Sequence, residues 1–326
     1  MFTRAISQLA HIEVMTPKPE ESLRFYRDIL GLEVSERSGQ SVFLRGWGEF
    51  FHHSLQLTEG KAPALGHIGW RAQSAESLAS AVKVLEASGR GEGWFDHTCG
   101  HGRAYRYRGL GGHLNELFWD VERHVPTAAE TSTYPNRPQR YFPRGVAARS
   151  LDHVTVASKD IRADVHWYRD TLGHRFMEYV LHRDTPDLIV FAMLSTCERA
   201  HDLGFVPDHS GVPGRVNHIS YWVDSREELR RGADVLLDAG YAIEFGPGEQ
   251  DFLYVREPGG MRIEMVAGGY HNYEPDWKPV AWKHYQGSNV YYRNADMPRS
   301  MFECFPPTET PAIKDSERTD TFTTFV

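Results

Sequence analysis

Two histidines and one glutamate in the second half of the chain have the chemistry to bind one divalent metal ion. They are His153 in "LDHVTV", His218 in "RVNHISYWV" and Glu264 in "MRIEMV", and each lies in a short run typical of a strand. Because alternate strand residues share one face, three such side chains on a curved sheet can converge and leave coordination positions open. The set suits non-haem Fe(II) and also accepts Mn(II). Each residue alone is compatible with ordinary packing or a solvated strand, so the prediction depends on their joint occurrence.

The first half of the chain offers the same ligand types, as His11, His67 and Glu116. Spacing alone does not choose between the two sets. Ten positions before the glutamate, however, the second half has Tyr254 and the first half has Arg106. A phenol suits a site that handles phenolic oxygens, whereas a nearby cation repels Fe(II). This difference favours the second half as the metal site.

A further histidine, His201 in "STCERAHDLGF", lies at the start of another candidate inner strand. An imidazole there could donate a proton near an oxygen bound at the site. The equivalent residue in the first half is His53, so a packing role is also compatible with the pattern.

Internal repeats indicate how these residues are positioned. The stretch "HIEVMTPKPEESLRFYRDILG" from residue 11 reappears as "HVTVASKDIRADVHWYRDTLG" from residue 153, and "HIGWRAQSAESLASAVKVLEASG" from residue 67 reappears as "HISYWVDSREELRRGADVLLDAG" from residue 218. Each unit predicts a strand, an amphipathic helix closed by glycine, and further short strands. The expected fold is therefore α+β, with two tandem domains that each pair two βαβββ modules in a curved, half-closed sheet.

Composition shifts divide the chain into four segments. We expect an N-terminal, non-catalytic pair of modules over residues 1–130 and a catalytic, metal-binding pair over residues 149–272. Residues 131–148 are rich in proline, arginine and small polar residues and carry no period, so they are predicted to be the linker. Residues 273–326 form an aromatic tail that we expect to pack over the second domain, with its last residues frayed.

Overall composition excludes several classes of function. With 44 acidic and 36 basic residues interleaved, the formal net charge is -8, which leaves no basic stripe for nucleic acid or an anionic membrane. The chain has no run of eighteen apolar residues and no signal-peptide pattern at its start, so a cytoplasmic location is expected. Its three scattered cysteines support neither a disulfide framework nor a thiolate zinc site.

The quoted motifs, their order and the doubled "YRD-x-LG" modules resemble the type I extradiol ring-cleavage dioxygenases, the catechol 2,3-dioxygenase group of the vicinal oxygen chelate superfamily. The resemblance covers roughly residues 5–270. It implies that only the C-terminal domain binds metal, through His153, His218 and Glu264, and that the ion is Fe(II), with Mn(II) as the alternative. It also implies that His201 is the acid-base residue and that Tyr254 hydrogen-bonds a substrate oxygen.

The same resemblance implies the reaction and its partners. A catechol or substituted catechol would react with O2 by cleavage beside the diol, giving a product of the 2-hydroxymuconic semialdehyde type. We expect a homo-oligomer, with a tetramer favoured. The tail residues Trp277, Tyr291 and Arg293 are predicted to contact substrate at the entrance of the site.

One loop departs from the family pattern. Family members usually carry "GP-x-RHG" before the tyrosine strand, whereas this chain reads "GPGEQDFLY". The second histidine near the substrate is therefore missing, and Gln250 or Glu249 is the nearest polar candidate for its role. The change leaves the ring substituents of the substrate open.

Other classes of function remain as alternatives. A metal-dependent isomerase or lyase of the same superfamily would use a divalent ion without O2 uptake, and the first-half triad leaves that open. An aromatic-binding protein on the same scaffold would need neither His201 nor a metal triad. A hydroxyphenylpyruvate-type dioxygenase typically carries a phenylalanine- and glycine-rich C-terminal helix, which this tail lacks.

Overall fold

The structure is a computed structural model that describes residues 4–96, 99–142, 144–182, 184–185, 187–246, 250–283 and 303–308. The first half contains eight strands and two helices, the first of which continues as a π-helical turn. These elements are β1 (Ile6–Thr16), α1 (Pro19–Arg24) with its π-helical turn (Phe25–Ile29), β2 (Glu33–Ser38), β3 (Ser41–Arg45), β4 (Leu55–Glu59), β5 (Ala64–Ala72), α2 (Ala75–Ala87), β6 (Gly91–Phe95), β7 (Ala104–Arg108) and β8 (Leu114–Phe118).

The second half repeats this order of elements and adds one strand from the tail. Its elements are β9 (Ser150–Ser158), α3 (Ile161–Leu172), β10 (Arg175–Leu181), β11 (Ile189–Ser195), β12 (Leu203–Pro207), β13 (Val216–Trp222), α4 (Arg226–Asp238), β14 (Ile243–Gly246), β15 (Gln250–Arg256), β16 (Arg262–Gly268) and β17 (Val280–Lys283).

Two mixed sheets are built from these strands. The first has the order β2-β3-β4-β1-β5-β8-β7-β6, and the second has the order β14-β15-β16-β13-β9-β12-β11-β10-β17. In each sheet the first strands of two βαβββ modules pair antiparallel at the centre, as β1 with β5 and β9 with β13. The predicted α+β fold of four repeated modules is confirmed.

The helices begin and end where the sequence signals place them. Ser74, Asp160 and Ser225 precede α2, α3 and α4, and each side chain accepts a hydrogen bond from the backbone N–H three residues later. At the end of α3, Gly173 takes the left-handed conformation, with φ of +77°. These caps fix the lengths of the helices and therefore the register of the strands that follow.

One continuous apolar core joins the two sheets. It includes Ile12 and Trp70 from the first half together with Val154 and Phe205 from the second. The His113 Nε2–H also donates across the boundary to the Arg215 carbonyl, at 2.8 Å. The two halves therefore stabilise each other by shared burial of apolar surface.

The end of the predicted linker is docked onto the first half. The backbone N–H of Val146 donates to the Ile29 carbonyl at 2.8 Å, and that of Ala148 donates to Leu30 at 3.1 Å. Gly145 has φ of +54°, and a Cβ added there would overlap the Ile29 carbonyl oxygen. Only glycine fits this close approach of two backbones.

Gly145→Ala is therefore expected to destabilise the fold. Gly39→Ala is the matched control, because Gly39 has a similar φ of +57° but nothing within 4 Å of an added Cβ. Both variants carry the left-handed strain, so the overlap should lower the free energy of unfolding of Gly145→Ala by about 1–3 kcal/mol more. Urea unfolding measures the difference. Equal stabilities of the two variants would contradict the docked linker.

The described part of the tail packs onto the second sheet. Strand β17 pairs parallel with β10, with Val280 opposite Glu178. The Trp277 Nε1–H donates to the Met177 carbonyl at 3.2 Å, and the Trp282 Nε1–H donates to the Glu178 carboxylate. The exact domain boundaries stay a prediction from the sequence.

Two further observations bear on the class of protein. Cys99, Cys197 and Cys304 carry free thiols. Across the ranges that the structure describes, no helix is long and apolar enough to cross a membrane.

Candidate metal centre

Four neighbouring strands of the second sheet bring the predicted site residues together. Strands β16, β13 and β9 lie side by side and carry Glu264, His218 and His153. Ser220 on β13 lies opposite both His153 and Glu264 in the register, and His218 precedes Ser220 by two residues, so the three ligand side chains lie on one face of the sheet. His201 lies two residues before β12, the next strand along.

The donor atoms of the three residues form a tight triangle. His153 Nε2 lies 3.0 Å from His218 Nε2 and 2.9 Å from Glu264 Oε2, and the third side, from His218 Nε2 to Glu264 Oε2, measures 3.5 Å. Donors that share one face of an octahedral ion at the usual bond lengths are separated by roughly 3 Å. The triangle therefore fits an ion bound facially by two imidazoles and one carboxylate.

Burial of the triangle supports the same assignment. All three side chains are buried, and Glu264 Oε2 makes no hydrogen bond of good geometry with the residues that the structure describes, despite its closeness to His153. A buried carboxylate oxygen without such a bond is costly in an apolar interior. An ion between the three donors would remove that cost, so the residues present fit a metal.

Both imidazoles are oriented by hydrogen bonds from their other ring nitrogen. The Nδ1–H of His153 donates to Asp152 at 2.8 Å, and that of His218 donates to Asn217 Oδ1 at 2.6 Å. Arg199 in turn pairs with Asp152 at 3.1 Å. With Nδ1–H engaged in this way, each Nε2 points toward the centre of the triangle, and an ion that binds there would displace any proton that Nε2 carries.

Asp152→Asn should weaken metal binding without removing a ligand. The amide no longer strengthens the basicity of His153 and leaves Arg199 without its anion, so we expect metal affinity to fall about 10- to 100-fold. Competition with a chelator of known affinity measures the change. Asp170→Asn is the control, since Asp170 is an exposed aspartate paired with Arg169. A shift of equal size in both variants would count against the role of Asp152.

The charges around the triangle set the protonation of its histidines. Burial opposes the charged form of His153, but the carboxylates of Glu264 and Asp152 outweigh it and raise the pKa of His153 to about 9. Burial and the charge on His153 lower the pKa of both His218 and His201 well below the usual range. His218 and His201 are therefore neutral at pH 7.

His201 lies beside the triangle. Its ring packs on that of His153, with centroids 4.0 Å apart and planes tilted by 42°. Its Nδ1 is buried and has no hydrogen-bond partner among the described residues. A buried nitrogen of this kind can exchange a proton with a bound molecule.

Tyr254 lies on β15, directly opposite Glu264 in the register. Its hydroxyl hydrogen-bonds the Glu264 carboxylate, and its ring packs edge-on against His218, with centroids 5.3 Å apart. The Arg262 guanidinium stacks over the ring at 3.7 Å from its centre. The tyrosine thus borders the triangle of His153, His218 and Glu264, and its contact with substrate stays a prediction.

The predicted substrate contacts lie further out. Gln250 opens β15, four residues from Tyr254, and packs against Gly269. Trp277 packs on an apolar cluster that we call the inner cluster. Tyr291 and Arg293 lie outside the described residues. The inner cluster contains Ala157, Met177, Val180, Val190, Phe191, Met193, Val206, Phe252, Tyr254 and Cys304.

The structure also brings the equivalent residues of the first half together. His11 Nε2 lies 2.8 Å from His67 Nε2, and His67 Nε2 lies 3.6 Å from Glu116 Oε2. Arg106 is paired with the other oxygen of Glu116, so the cation expected from the sequence does contact this set. His53 also lies here, with its ring 4.8 Å from that of His11.

Sequence reasoning missed the residues that orient the ligands. Asp152 and Asn217 each directly precede a ligand histidine, whereas the first half has Ala10 and Gly66 at these positions. A polar residue before each histidine was therefore a readable difference between the halves. Arg199 carried no such signal, because its contact with Asp152 joins distant parts of the chain.

A comparison with protein-family models finds one match. The model of the Glyoxalase/Bleomycin resistance protein/Dioxygenase superfamily matches residues 8–117 and residues 150–265. Each match spans most of one of the two sheets. The duplication that is visible in the repeats is therefore also a duplication of family units.

Curated relatives and a solved structure resemble almost the whole chain. A metapyrocatechase of Geobacillus stearothermophilus is 38% identical over 284 residues, which is 85% of this chain and 86% of the relative. A manganese-dependent 2,3-dihydroxybiphenyl 1,2-dioxygenase of Geobacillus genomosp. 3 is 35% identical over 87% of this chain and 92% of the relative. The homoprotocatechuate 2,3-dioxygenase of Arthrobacter globiformis shares the fold, with a TM-score of 0.78, 24% identity and coverage of 92% and 91% of the two chains.

Proposed function

Because this chain belongs to the Glyoxalase/Bleomycin resistance protein/Dioxygenase superfamily and is an extradiol dioxygenase related to the metapyrocatechases, we propose that it cleaves a catechol or substituted catechol with O2 at one Fe(II) ion. The observation that carries the proposal is the buried triangle of His153, His218 and Glu264 with the unpartnered nitrogen of His201 beside it. An isomerase or a binding protein has no evident need for both features.

The reaction balances without an external reductant. One carbon–carbon bond of the ring breaks beside the diol, and both atoms of O2 enter the product, which is of the 2-hydroxymuconic semialdehyde type. When bound, the ion supplies Lewis acidity toward the diol and the ability to engage O2. The protein contributes orientation, exclusion of water and control of protons.

We propose that His201 moves the proton. A diol loses protons as its oxygens are held at the site, and ring opening returns a proton to the product. A neutral imidazole whose Nδ1 is buried and unpartnered can accept the proton and return it. Its packing on His153 keeps the ring next to the ligand triangle.

Tyr254 and the inner cluster are placed to orient the ring of the substrate. The tyrosine hydroxyl hydrogen-bonds the Glu264 carboxylate. It can also hydrogen-bond a diol oxygen at the edge of the triangle. Beyond it, Phe252, Phe191 and Met193 offer apolar surface that suits an aromatic ring. We propose Trp277 and Gln250 as outer substrate contacts, in keeping with the sequence prediction.

Fe(II) is the proposed ion, although one relative is described as manganese-dependent. Two imidazoles and one carboxylate accept either ion. Metal-free protein reconstituted separately with Fe(II) and Mn(II) should show higher turnover with Fe(II). Turnover with Mn(II) alone would reject Fe(II) as the ion, but the proposed ring cleavage would stand.

Oxygen consumption tests the proposed function directly. Protein loaded anaerobically with Fe(II) is mixed with catechol and ring-substituted catechols, while O2 uptake and the yellow absorbance of the product are followed. We expect one O2 per diol, with both atoms of labelled O2 in the product. Binding of diols without O2 uptake would overturn the proposal and favour an isomerase or a binding protein.

The proposal also covers the cellular location and the oligomeric state of the protein. We propose a cytoplasmic homo-oligomer, with a tetramer favoured, that takes an aromatic diol and O2. Light scattering after size exclusion measures the number of chains. A monomer that is fully active would reject the oligomer as part of the function.

A further inference from the structure

The first half of the chain contains a second cluster of buried metal-ligand side chains, which the proposed reaction does not use. Its donors are His11, His67 and Glu116 of the first sheet, and His101 from a loop lies beside Glu116. From their geometry we propose that they bind a second divalent transition-metal ion, in a closed site with a structural role.

The cluster has nearly the same dimensions as the catalytic triangle. The two Nε2 atoms of His11 and His67 lie 2.8 Å apart, against 3.0 Å for the catalytic pair. The distance from His67 Nε2 to Glu116 Oε2 is 3.6 Å, against 3.5 Å for the equivalent pair. All three side chains are buried, so the donors are already held at the spacing that an ion requires.

Two histidines here, His67 and His101, are oriented by hydrogen bonds from their Nδ1 atoms. The Nδ1–H of His67 donates to Glu13 at 2.8 Å, and Glu13 is itself held by the Thr58 hydroxyl at 2.7 Å. The Nδ1–H of His101 donates to the Gly102 carbonyl at 2.9 Å, which leaves its Nε2 facing Glu116 Oε2 at 3.7 Å. Such hydrogen bonds fix the tautomer in which Nε2 can coordinate.

Two glycines make room for the cluster. A Cβ at Gly66 would overlap the Glu13 carboxylate, and a Cβ at Gly69 would overlap the ring of His11. Both glycines flank His67 on β5. The equivalent positions of the second half carry Asn217 and Ser220, so these glycines belong to this cluster and not to the repeat.

Arg106 does not occupy the ligand atom of the cluster. It pairs with Glu116 Oε1, whereas Oε2 is the atom that faces His67 and His101. The Glu13 carboxylate offsets the arginine charge on the other side of the cluster. The catalytic triangle has cations near it as well, since Arg199 pairs with its aspartate and Arg262 stacks on its tyrosine.

Aromatic rings close this site. The ring of His101 stacks on that of His11, with centroids 5.2 Å apart, and on Phe118 at 4.0 Å. These rings fill the face on which the catalytic half must leave room for a diol. Closed metal sites are typically structural, whereas catalytic sites keep a position open.

Metal counting tests the inference. Chelator-treated full-length protein is titrated with Co(II), dialysed, and assayed for cobalt per chain by elemental analysis. We expect two ions in the unmodified protein, one in His67→Ala and one in His218→Ala. One ion in the unmodified protein, still one in His67→Ala and none in His218→Ala would overturn the second site.

Two controls keep the count interpretable. Glu36, His52 and Cys99 form another group of close donors, so Cys99→Ser should leave the count at two. A fall to one in Cys99→Ser with no change in His67→Ala would place the ion there and reject the proposal. If His67→Ala does not fold, Glu116→Gln should weaken one of the two sites by roughly tenfold or more; unchanged affinity of both sites would reject the second site.

Diffraction at the cobalt absorption edge gives an independent readout. We expect an anomalous peak between the donor atoms of His11, His67 and Glu116 and a second peak in the catalytic triangle. Two peaks without O2 uptake would reject the proposed reaction and keep the second site. Uptake of O2 with a single peak at His153, His218 and Glu264 would support the proposed reaction and reject the second site.

Discussion

His201→Phe is expected to lower turnover by roughly 10²- to 10⁴-fold while metal binding stays unchanged. Phenylalanine keeps an aromatic ring against His153, where the imidazole now packs with a centroid distance of 4.0 Å, but removes the buried Nδ1. The loss should therefore fall on kcat, because proton transfer is affected and the ligand triangle is not. Steady-state O2 uptake and metal content measure the two effects separately.

The repeat supplies a matched control for this variant. His53 is also buried and lies two residues before its strand, but in the first half, and its Nε2 has no hydrogen-bond partner within the described part of the chain. His53→Phe should keep kcat within about twofold, since the residue lies away from the catalytic triangle. Equal losses in both variants would mean that His201 acts through packing and would reject its proton-transfer role.

Glu264→Gln is expected to abolish both metal binding in the second half and ring cleavage, with activity at least about a thousandfold lower. The amide keeps the shape of the side chain but removes the only anionic donor of the triangle. It also gives the Tyr254 hydroxyl a weaker acceptor. Elemental analysis and O2 uptake should fall together.

The same substitution two strands away in the sheet controls for general damage. Glu244 lies opposite Tyr254 on β14, half-exposed and paired with Arg262, but outside the ligand set. Glu244→Gln should retain the ion and most of the activity. Retention of the ion by Glu264→Gln would contradict the assignment of Glu264 as a ligand, whatever happens to turnover.

Much of the fold could be predicted because the sequence of its modules is repeated in the two halves of the chain. The matching runs from His11 and His153, and from His67 and His218, set the modules, and strand periodicity placed the histidines on one face. The π-helical turn over Phe25–Ile29 carried no pattern that distinguishes it from an α-helix. Its existence depends on tertiary packing rather than on local sequence.

The residues of the candidate site could be predicted where the two halves of the chain share them, but not where the halves differ. The ligand types recur at equivalent positions, so both sets could be named before any geometry. His101 lies in a loop outside the matched runs, and its approach to Glu116 depends on how β7 and β8 pair. The docking of Gly145 on Ile29 likewise joins segments more than a hundred residues apart, which no local pattern encodes.

The tail strand β17 also protects the molecule from association through its sheet edge. Without it, β10 would present unpaired backbone N–H and C=O groups along an apolar strand, a surface that readily recruits a strand from another chain. The edge strand β2 has no further strand beside it in the described ranges, and it carries Glu33, Glu36 and Arg37, whose charges discourage pairing. A chain shortened at residue 272 would thus lose more than an aromatic tail, because β10 would become an unpaired sheet edge. Aggregation through that edge would mask whatever activity the intact metal centre retained.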